Sequence, residues 1–137
     1  FELEKTYDEK IDLLILLRPT SPFRPNGLIE VGIEKMTDNP RATSLRSVAL
    51  SKEHPYRQWF LKGKYIKGFE KTIHESFNIP RQLIPKAYFQ TGDIEIIRRS
   101  TIIEGSISGK NVIPLIIEHS QILDIDSIKD WNNAEKS

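Results

Sequence analysis

Apolar runs and short turns alternate along the chain and predict a succession of helices and strands. The opening FELEKTYDEK has the pattern of a helix, and the continuous apolar run DLLILL (residues 12–17) follows it. Such a run, bounded by turn residues, is typical of a strand that is buried on both faces of an α/β sheet. NGLIEVGIEKMTDN spaces its apolar residues as an amphipathic helix, with Pro25 suited to the first turn. TSLRSVAL then predicts a second core strand.

The second half of the chain predicts a hairpin, further strands and a terminal helix. QWFLKGKYIKGF alternates around Lys62-Gly63-Lys64, which is the pattern of a hairpin. The stretches IPRQLIPKAYFQTG and EGSISGK are interpreted as loops. GDIEIIRR, NVIPLIIE and QILDID are predicted strands, and STII is a predicted helical turn. Ser127 is placed as the N-cap of a final helix, SIKDWNNAEK.

The aromatic side chains of the hairpin need a surface to cover them, because an isolated two-stranded ribbon is marginally stable in water. They are Trp59, Phe60, Tyr65 and Phe69. A second subunit would supply such a surface and make the chain a homodimer. The alternative is that these rings fold back onto their own sheet.

Composition narrows the class of protein. With 137 residues, of which 38% are hydrophobic, the chain suits a single domain. The formal net charge of +1 does not indicate nucleic acid or an anionic membrane as a partner, and the absence of cysteine fits a cytoplasmic protein. Because an α/β domain seldom begins with its most buried strand, we expect that an N-terminal segment is missing and that the chain is part of something longer.

Two groups of polar residues are candidates for chemistry. Asp124 and Asp126, two positions apart in LDIDSIKD, point the same way when extended and would share Mg²⁺, although a turn residue before a helix is the alternative for Asp126. Four arginines lie in predicted loops beside prolines: Arg18, Arg24, Arg57 and Arg81. Arginine suits bidentate binding of carboxylate or phosphate, whereas each one alone is better explained as a solvated or structural residue. RPTSPFR follows the first strand, where α/β sheets bind ligands. Together these residues favour an anionic ligand beside a metal.

Four stretches in order resemble the CMP-sialic acid synthetases, the acylneuraminate cytidylyltransferase family, over nearly the whole chain. They are LLRPTSPFRP, HPYR, PRQLIPKAYFQTGDIEII and VIPLIIEHSQILDIDSIKDW. The resemblance implies an α/β nucleotidyltransferase, Rossmann-like mixed sheet with a dimerisation hairpin. Residues 1–137 would be the C-terminal portion of one cytidylyltransferase domain, with 55–80 as the extension. It also implies a homodimer that couples CTP to an acidic nine-carbon sugar with Mg²⁺, releasing pyrophosphate, for surface polysaccharide biosynthesis.

The resemblance also assigns roles to individual residues. RPTSPFR would line the sugar pocket, and Arg57 would reach the neighbouring subunit's site. The implied sugar-binding residues are Arg18, Thr20, Ser21, Arg57, Arg81 and Tyr88, and the implied metal-binding and catalytic residues are Asp124 and Asp126. Arg18 and Thr91 depart from the family, where glutamine and asparagine are frequent.

The glycine-rich strand and loop with which the family holds CTP has no counterpart in this sequence. The resemblance therefore covers the sugar side and the metal side of such an enzyme. The alternative interpretation is a non-catalytic sugar-binding or dimerisation module that lacks the nucleotide half.

Overall fold

The computed structural model describes residues 2–20 and 24–118 and shows a mixed α/β fold. Within these residues the helices are α1 (Glu2–Tyr7), α2 (Leu28–Asp38) and α3 (Arg99–Ile103). The strands are β1 (Leu13–Leu16), β2 (Ser44–Leu50), β3 (Trp59–Lys62), β4 (Tyr65–Gly68), β5 (Tyr88–Arg98) and β6 (Val112–Ile116). Three 3₁₀ turns cover Pro55–Arg57, Ser76–Asn78 and Arg81–Leu83. The predicted strand QILDID and the predicted terminal helix lie outside the described residues.

A four-stranded mixed sheet has the strand order β1-β5-β2-β6. β1 is antiparallel to β5, and β2 is parallel to β6. Arg98 N donates to Thr43 O at 3.1 Å, while Ile94 N donates to Ser47 Oγ at 3.1 Å, so β5 also runs opposite to β2. The loop that follows β1 and the first half of β5 therefore lie at the same edge of the sheet.

Helix α2 packs on one face of this sheet and forms the core with it. The core residues on the two elements and their neighbours are Leu28, Met36, Ala42, Leu45, Ile94, Ile96, Leu115 and Ile117. Gly32 permits the close approach, since a Cβ at this position would lie 2.7 Å from Ile96 Cδ1. The spacing of apolar residues that predicted this helix is confirmed, and the helix begins after Gly27.

The first strand does not have the environment that its sequence predicts. β1 is the outer strand of the described sheet and pairs with β5 alone. Leu14 and Leu16 are 40% and 43% exposed, so the prediction of a strand buried on both faces is wrong. In the described part of the chain, its apolar run forms an outer strand that has one face on the core.

The loop between α3 and β6 is held against the start of β2. Thr43 Oγ1 and Ser44 Oγ each donate to Ser108 O at 2.7 Å. Gly109 has a φ of +68°, and a Cβ at this position would lie 2.4 Å from Thr43 Cβ. The loop therefore requires glycine there for both its backbone angle and its space.

The chain divides into two compact units, one comprising residues 1–49 and 90–137 and the other Leu50–Phe89. In the second unit β3 and β4 form the predicted hairpin, with Trp59 paired to Gly68 and Lys62 to Tyr65. Phe77 packs on this hairpin, with its ring centroid 4.4 Å from that of Trp59. The predicted extension at 55–80 falls within this unit, and its role in dimerisation stays a prediction.

Candidate functional site

A network of charged side chains lies on the sheet face opposite α2. Its centre is Glu95 of β5, which is 6% exposed. Glu95 Oε1 accepts from Arg18 Nη2 at 3.2 Å and from Gln90 Nε2 at 3.0 Å, and Oε2 is paired with Arg46 of β2. Arg46 also donates to Ser108 Oγ at 2.8 Å. The carboxylate therefore joins two strands and the loop after β1.

The loop that follows β1 is fixed onto the start of β5. Arg24 Nε donates to Asp93 O at 2.7 Å, and Arg24 Nη2 donates to Arg18 O. Gly92, with a φ of +77°, faces the Arg18 side chain, whose atoms would lie 3.3 Å from a Cβ at Gly92. Arg18 and Arg24 thus both contact β5, and Gly92 leaves space for the Arg18 side chain.

Asp93 lies within this cluster and is 2% exposed. It is two positions from Glu95 on an extended strand, so both side chains project from the same face, while Ile94 and Ile96 project into the core. Its Oδ2 atom is shielded from solvent and has no hydrogen-bond partner within residues 2–20 and 24–118. A shielded carboxylate oxygen without a donor is costly and calls for an explanation.

A separate cavity of about 410 Å³ lies within the second unit. It is lined by Lys52, Glu53, His54, Arg57, Arg81 and Ile84. Three cationic side chains against one carboxylate favour an anionic ligand. The structure therefore places two of the predicted sugar-binding residues, Arg57 and Arg81, on one cavity.

Hydrogen bonds hold the segments that carry this cavity. His54 Nδ1 accepts from Tyr56 N at 3.1 Å and caps the 3₁₀ turn that contains Arg57, and His54 Nε2 lies 2.8 Å from Pro85 O. Arg57 Nη2 donates to Ile79 O at 2.7 Å. The histidine thus links the turn before the hairpin to the segment that follows Arg81.

The remaining predicted site residues are distributed as follows. Thr20 is half-buried in the turn after β1, and Tyr88 is the first residue of β5 and 46% exposed. Ser21, Asp124 and Asp126 lie outside the described residues. Among residues 2–20 and 24–118, no group of three or more His, Cys, Asp or Glu side chains is placed to hold a metal ion.

Sequence reasoning missed Arg46, Asp93 and Glu95. Each is a charged residue inside a segment that predicts a core strand, and this is the signal that would have found them. A charge inside a buried strand requires a partner, because burial of an unpaired charge is strongly unfavourable. Arg46 and Glu95 form an ion pair with each other. Asp93 Oδ2 has no hydrogen-bond partner among the described residues.

A second ion pair, outside these clusters, attaches α1 to the start of α3. Arg99 Nε donates to Glu4 Oε1 at 2.6 Å and Arg99 Nη2 to Glu4 Oε2 at 2.9 Å. The hydrogen bond from the Arg99 side chain, followed by that from Ile11 N, lowers the pKa of Glu4 to about 2. The pair borders a small cavity of about 200 Å³ that Ile11, Leu14 and Ile102 also line.

A scan of the chain against models of known protein families finds no match, and a search among curated proteins finds none either. None of the helices in the described part of the chain has the length and apolar character needed to cross a membrane.

Proposed function

We propose that this chain carries the sugar side and the metal side of a cytidylyltransferase. The enzyme would couple CTP to a sialic-acid-like nonulosonic acid and give the CMP-sugar and pyrophosphate. The supporting observation is the contact between the RPTSPFR loop and the TGDIE stretch. Arg24 meets Asp93 and Arg18 meets Glu95 although 69 and 77 positions separate them in sequence. These stretches belong to two of the three most specific parts of the resemblance, so their contact favours one shared site.

On this proposal the four-stranded sheet is part of a Rossmann-like nucleotidyltransferase sheet. The parallel strands β1, β2 and β6 end at the edge where Arg18 and Thr20 lie. Ligands of open α/β sheets bind outside the carboxyl ends of the strands. The sugar would therefore lie beside the loop after β1, with Thr20 and Ser21 near its polar groups.

The reaction needs positioning and charge stabilisation more than covalent chemistry. The anomeric hydroxyl of the sugar attacks the α-phosphate of CTP in line, an oxygen–phosphorus bond forms, and pyrophosphate leaves. The hydroxyl proton passes to a base. Arginine guanidinium groups orient the sugar carboxylate by paired hydrogen bonds, as their geometry allows.

Asp124 and Asp126 would hold Mg²⁺, which when bound neutralises charge on the phosphates. Carboxylate oxygens are the hard ligands that this ion prefers, so the donor set fits.

The cavity of the second unit supports an anionic ligand. Lys52, Arg57 and Arg81 line it together. In the proposed homodimer, Arg57 precedes the hairpin and would reach the sugar carboxylate bound by the neighbouring subunit. Assembly and activity would then depend on each other.

Exposure of the hairpin rings supports the dimer. Phe60 and Phe69 stack with their centroids 4.5 Å apart, and Trp59 packs on Phe77. Even so, Trp59, Phe60 and Phe69 remain 41%, 45% and 47% exposed. The partial packing of these rings within their own unit leaves apolar surface that a second copy would cover.

Sedimentation of the wild type and of a variant that combines Trp59→Ala with Phe60→Ala tests this dimer. We expect a wild-type dimer at micromolar concentration and a monomeric, inactive double variant. A monomeric wild type, or an active monomeric variant, would contradict the shared site.

Pyrophosphate release by the full-length protein tests the proposed function. Release should require CTP, Mg²⁺ and a nonulosonic acid together. Equal release with UTP, or with a neutral hexose in place of the acidic sugar, would overturn the assignment. Sugar binding without any pyrophosphate release would favour the binding-module alternative.

A further inference from the structure

We infer that Asp93 is a sugar-binding residue whose buried carboxylate accepts a hydrogen bond from a hydroxyl or amide N–H group of the ligand. The inference rests on the proposed function and goes further, because it names a residue that selects among nonulosonic acids. It depends on the position of Asp93 in the described structure and on its unsatisfied oxygen.

The first observation is that one carboxylate oxygen of Asp93 is shielded from solvent without a donor. The residue is 2% exposed, and Oδ2 has no hydrogen-bond partner among the described residues. Nearly all buried polar groups in native proteins have a partner, so each exception needs an explanation such as a functional role. A chain that keeps such a carboxylate in its ligand-free form is less stable than it would be with a neutral residue there.

The second observation is that the neighbouring cations are already engaged. Arg18 and Arg46 both pair with Glu95, and Arg24 donates to the backbone oxygens of Asp93 and Arg18. None of these recorded bonds goes to Asp93 Oδ2, which has no donor among residues 2–20 and 24–118. The acceptor therefore remains available to a group that the described part of the chain does not supply.

The third observation concerns access. The side chain of Arg18, which lies against Gly92, is 57% exposed. A ligand that draws this guanidinium towards its own carboxylate would move it away from Gly92 and open the start of β5. The acidic group of the ligand would meet Arg18, and a neighbouring hydroxyl or acylamino group would meet Asp93.

A hydrogen-bond donor suits this site better than a metal ion. Magnesium requires several oxygen ligands in near-octahedral geometry. No group of three or more His, Cys, Asp or Glu side chains able to hold a metal occurs in the described parts of the chain. Nonulosonic acids carry several hydroxyl groups and, in the sialic acids, an acylamino group. Either donor satisfies a single carboxylate oxygen.

The test compares Asp93→Asn and Asp93→Ala with the wild type in two measurements. Titration with N-acetylneuraminic acid and with its 5-hydroxy counterpart, in the presence of CMP and Mg²⁺, gives the dissociation constants for an amide and a hydroxyl donor. Urea unfolding of the ligand-free proteins gives the stabilities. Ser76→Ala is the matched control, since Ser76 Oγ is also buried and without a partner, but lies in the second unit.

We expect Asp93→Ala to weaken binding of the preferred sugar by about 10- to 100-fold, the change typical for loss of a hydrogen bond to a charged group. Asp93→Asn keeps a neutral amide oxygen as acceptor and should weaken binding by a smaller factor. Asp93→Asn should unfold at the same urea concentration as the wild type or at a higher one, because a desolvated charge is removed. Ser76→Ala should leave binding unchanged. Loss of stability in Asp93→Asn with unchanged affinity would show a structural role and overturn the inference.

The titration distinguishes a wrong role for Asp93 from a wrong proposed function. If the wild type binds a sugar and both Asp93 variants bind it equally well, the inference is wrong and the proposed function stands. If the wild type binds neither sugar, the proposed function is wrong, and the inference is wrong with it.

Discussion

Two arginines share the carboxylate of Glu95, and their different burial predicts different consequences of mutation. The side chain of Arg46 is 14% exposed, whereas that of Arg18 is 57% exposed. We predict that Arg46→Gln destabilises the fold strongly, and that Arg18→Gln leaves stability nearly unchanged but weakens ligand binding. The same acceptor serves both pairs, so each variant is the control for the other.

The magnitudes follow from burial and from the contacts that remain. Removing one partner of a buried ion pair typically costs about 3–5 kcal/mol, because the other charge is left buried and unpaired. In Arg46→Gln, Glu95 keeps Arg18 and Gln90 as donors, which compensates in part. The bond from Arg46 to Ser108 Oγ is lost as well. We therefore expect a cost of about 2–4 kcal/mol. An exposed pair is worth about 0–1 kcal/mol, which is the cost expected for Arg18→Gln.

Urea denaturation followed by circular dichroism measures both costs. With a slope of about 2 kcal/mol per M, the Arg46 variant should lower the unfolding midpoint by roughly 1–2 M and the Arg18 variant by less than about 0.5 M. Equal losses in the two variants, or a larger loss for Arg18→Gln, would refute the argument that burial decides the strength of these pairs.

Three further predictions concern backbone strain, pH and metal binding. Gly109→Ala should cost about 2–5 kcal/mol of unfolding free energy, because the left-handed backbone angle and the overpacking against Thr43 act together. The control is Gly105→Ala, since Gly105 has a φ of +80° but open space around it. This variant should cost only about 1–2 kcal/mol. The pair of Glu4 with Arg99 lowers the pKa of Glu4 from 4.5 to about 2, so its stabilising contribution is complete above pH 4.5 and is lost as the pH falls towards 2. The difference in urea midpoint between wild type and Glu4→Gln should accordingly be largest near neutral pH and vanish near pH 2, whereas a constant difference would contradict this. Asp126→Asn should abolish pyrophosphate release by the full-length protein without loss of fold. Full activity of this variant would show that Asp126 is not a metal ligand, and the alternative role as a turn residue before a helix would then apply.

The sequence predicted local elements well because short-range patterns determine them. The α2 helix, the hairpin around Gly63 and the strands β2 and β6 all lie where periodicity and turn residues placed them. β5 begins at Tyr88, four residues before the predicted strand, so the prediction of a loop over residues 88–91 is wrong. The environment of β1 was not predictable in the same way. An apolar run is compatible with a central strand or with an edge strand, and strand order depends on contacts between residues far apart in sequence.

For the candidate site, the sequence predicted the loops that carry the arginines but not the residues with which those arginines pair. Arg18 was predicted as a binding residue from its position beside proline, yet nothing local identifies Glu95 as its acceptor. Pairing across a sheet depends on register, and register is fixed only when the strands are assembled. Arg57 and Arg81 were predicted separately, and the fold of the second unit places them on one cavity.

Arg46 and Arg18 have different roles around Glu95, and this difference explains how a ligand site is compatible with a stable sheet. Arg46 is held by Glu95 and by Ser108, so the carboxylate has a fixed position before any ligand arrives. Arg18 donates one N–H to that fixed carboxylate at 3.2 Å and keeps a largely exposed guanidinium, which has five N–H groups in all. The remaining donors of Arg18 lie largely in solvent, so a ligand carboxylate can reach them while the bond to Glu95 is still in place. When the ligand then draws Arg18 away from Gly92, Arg46 still offsets the cost of burying Glu95.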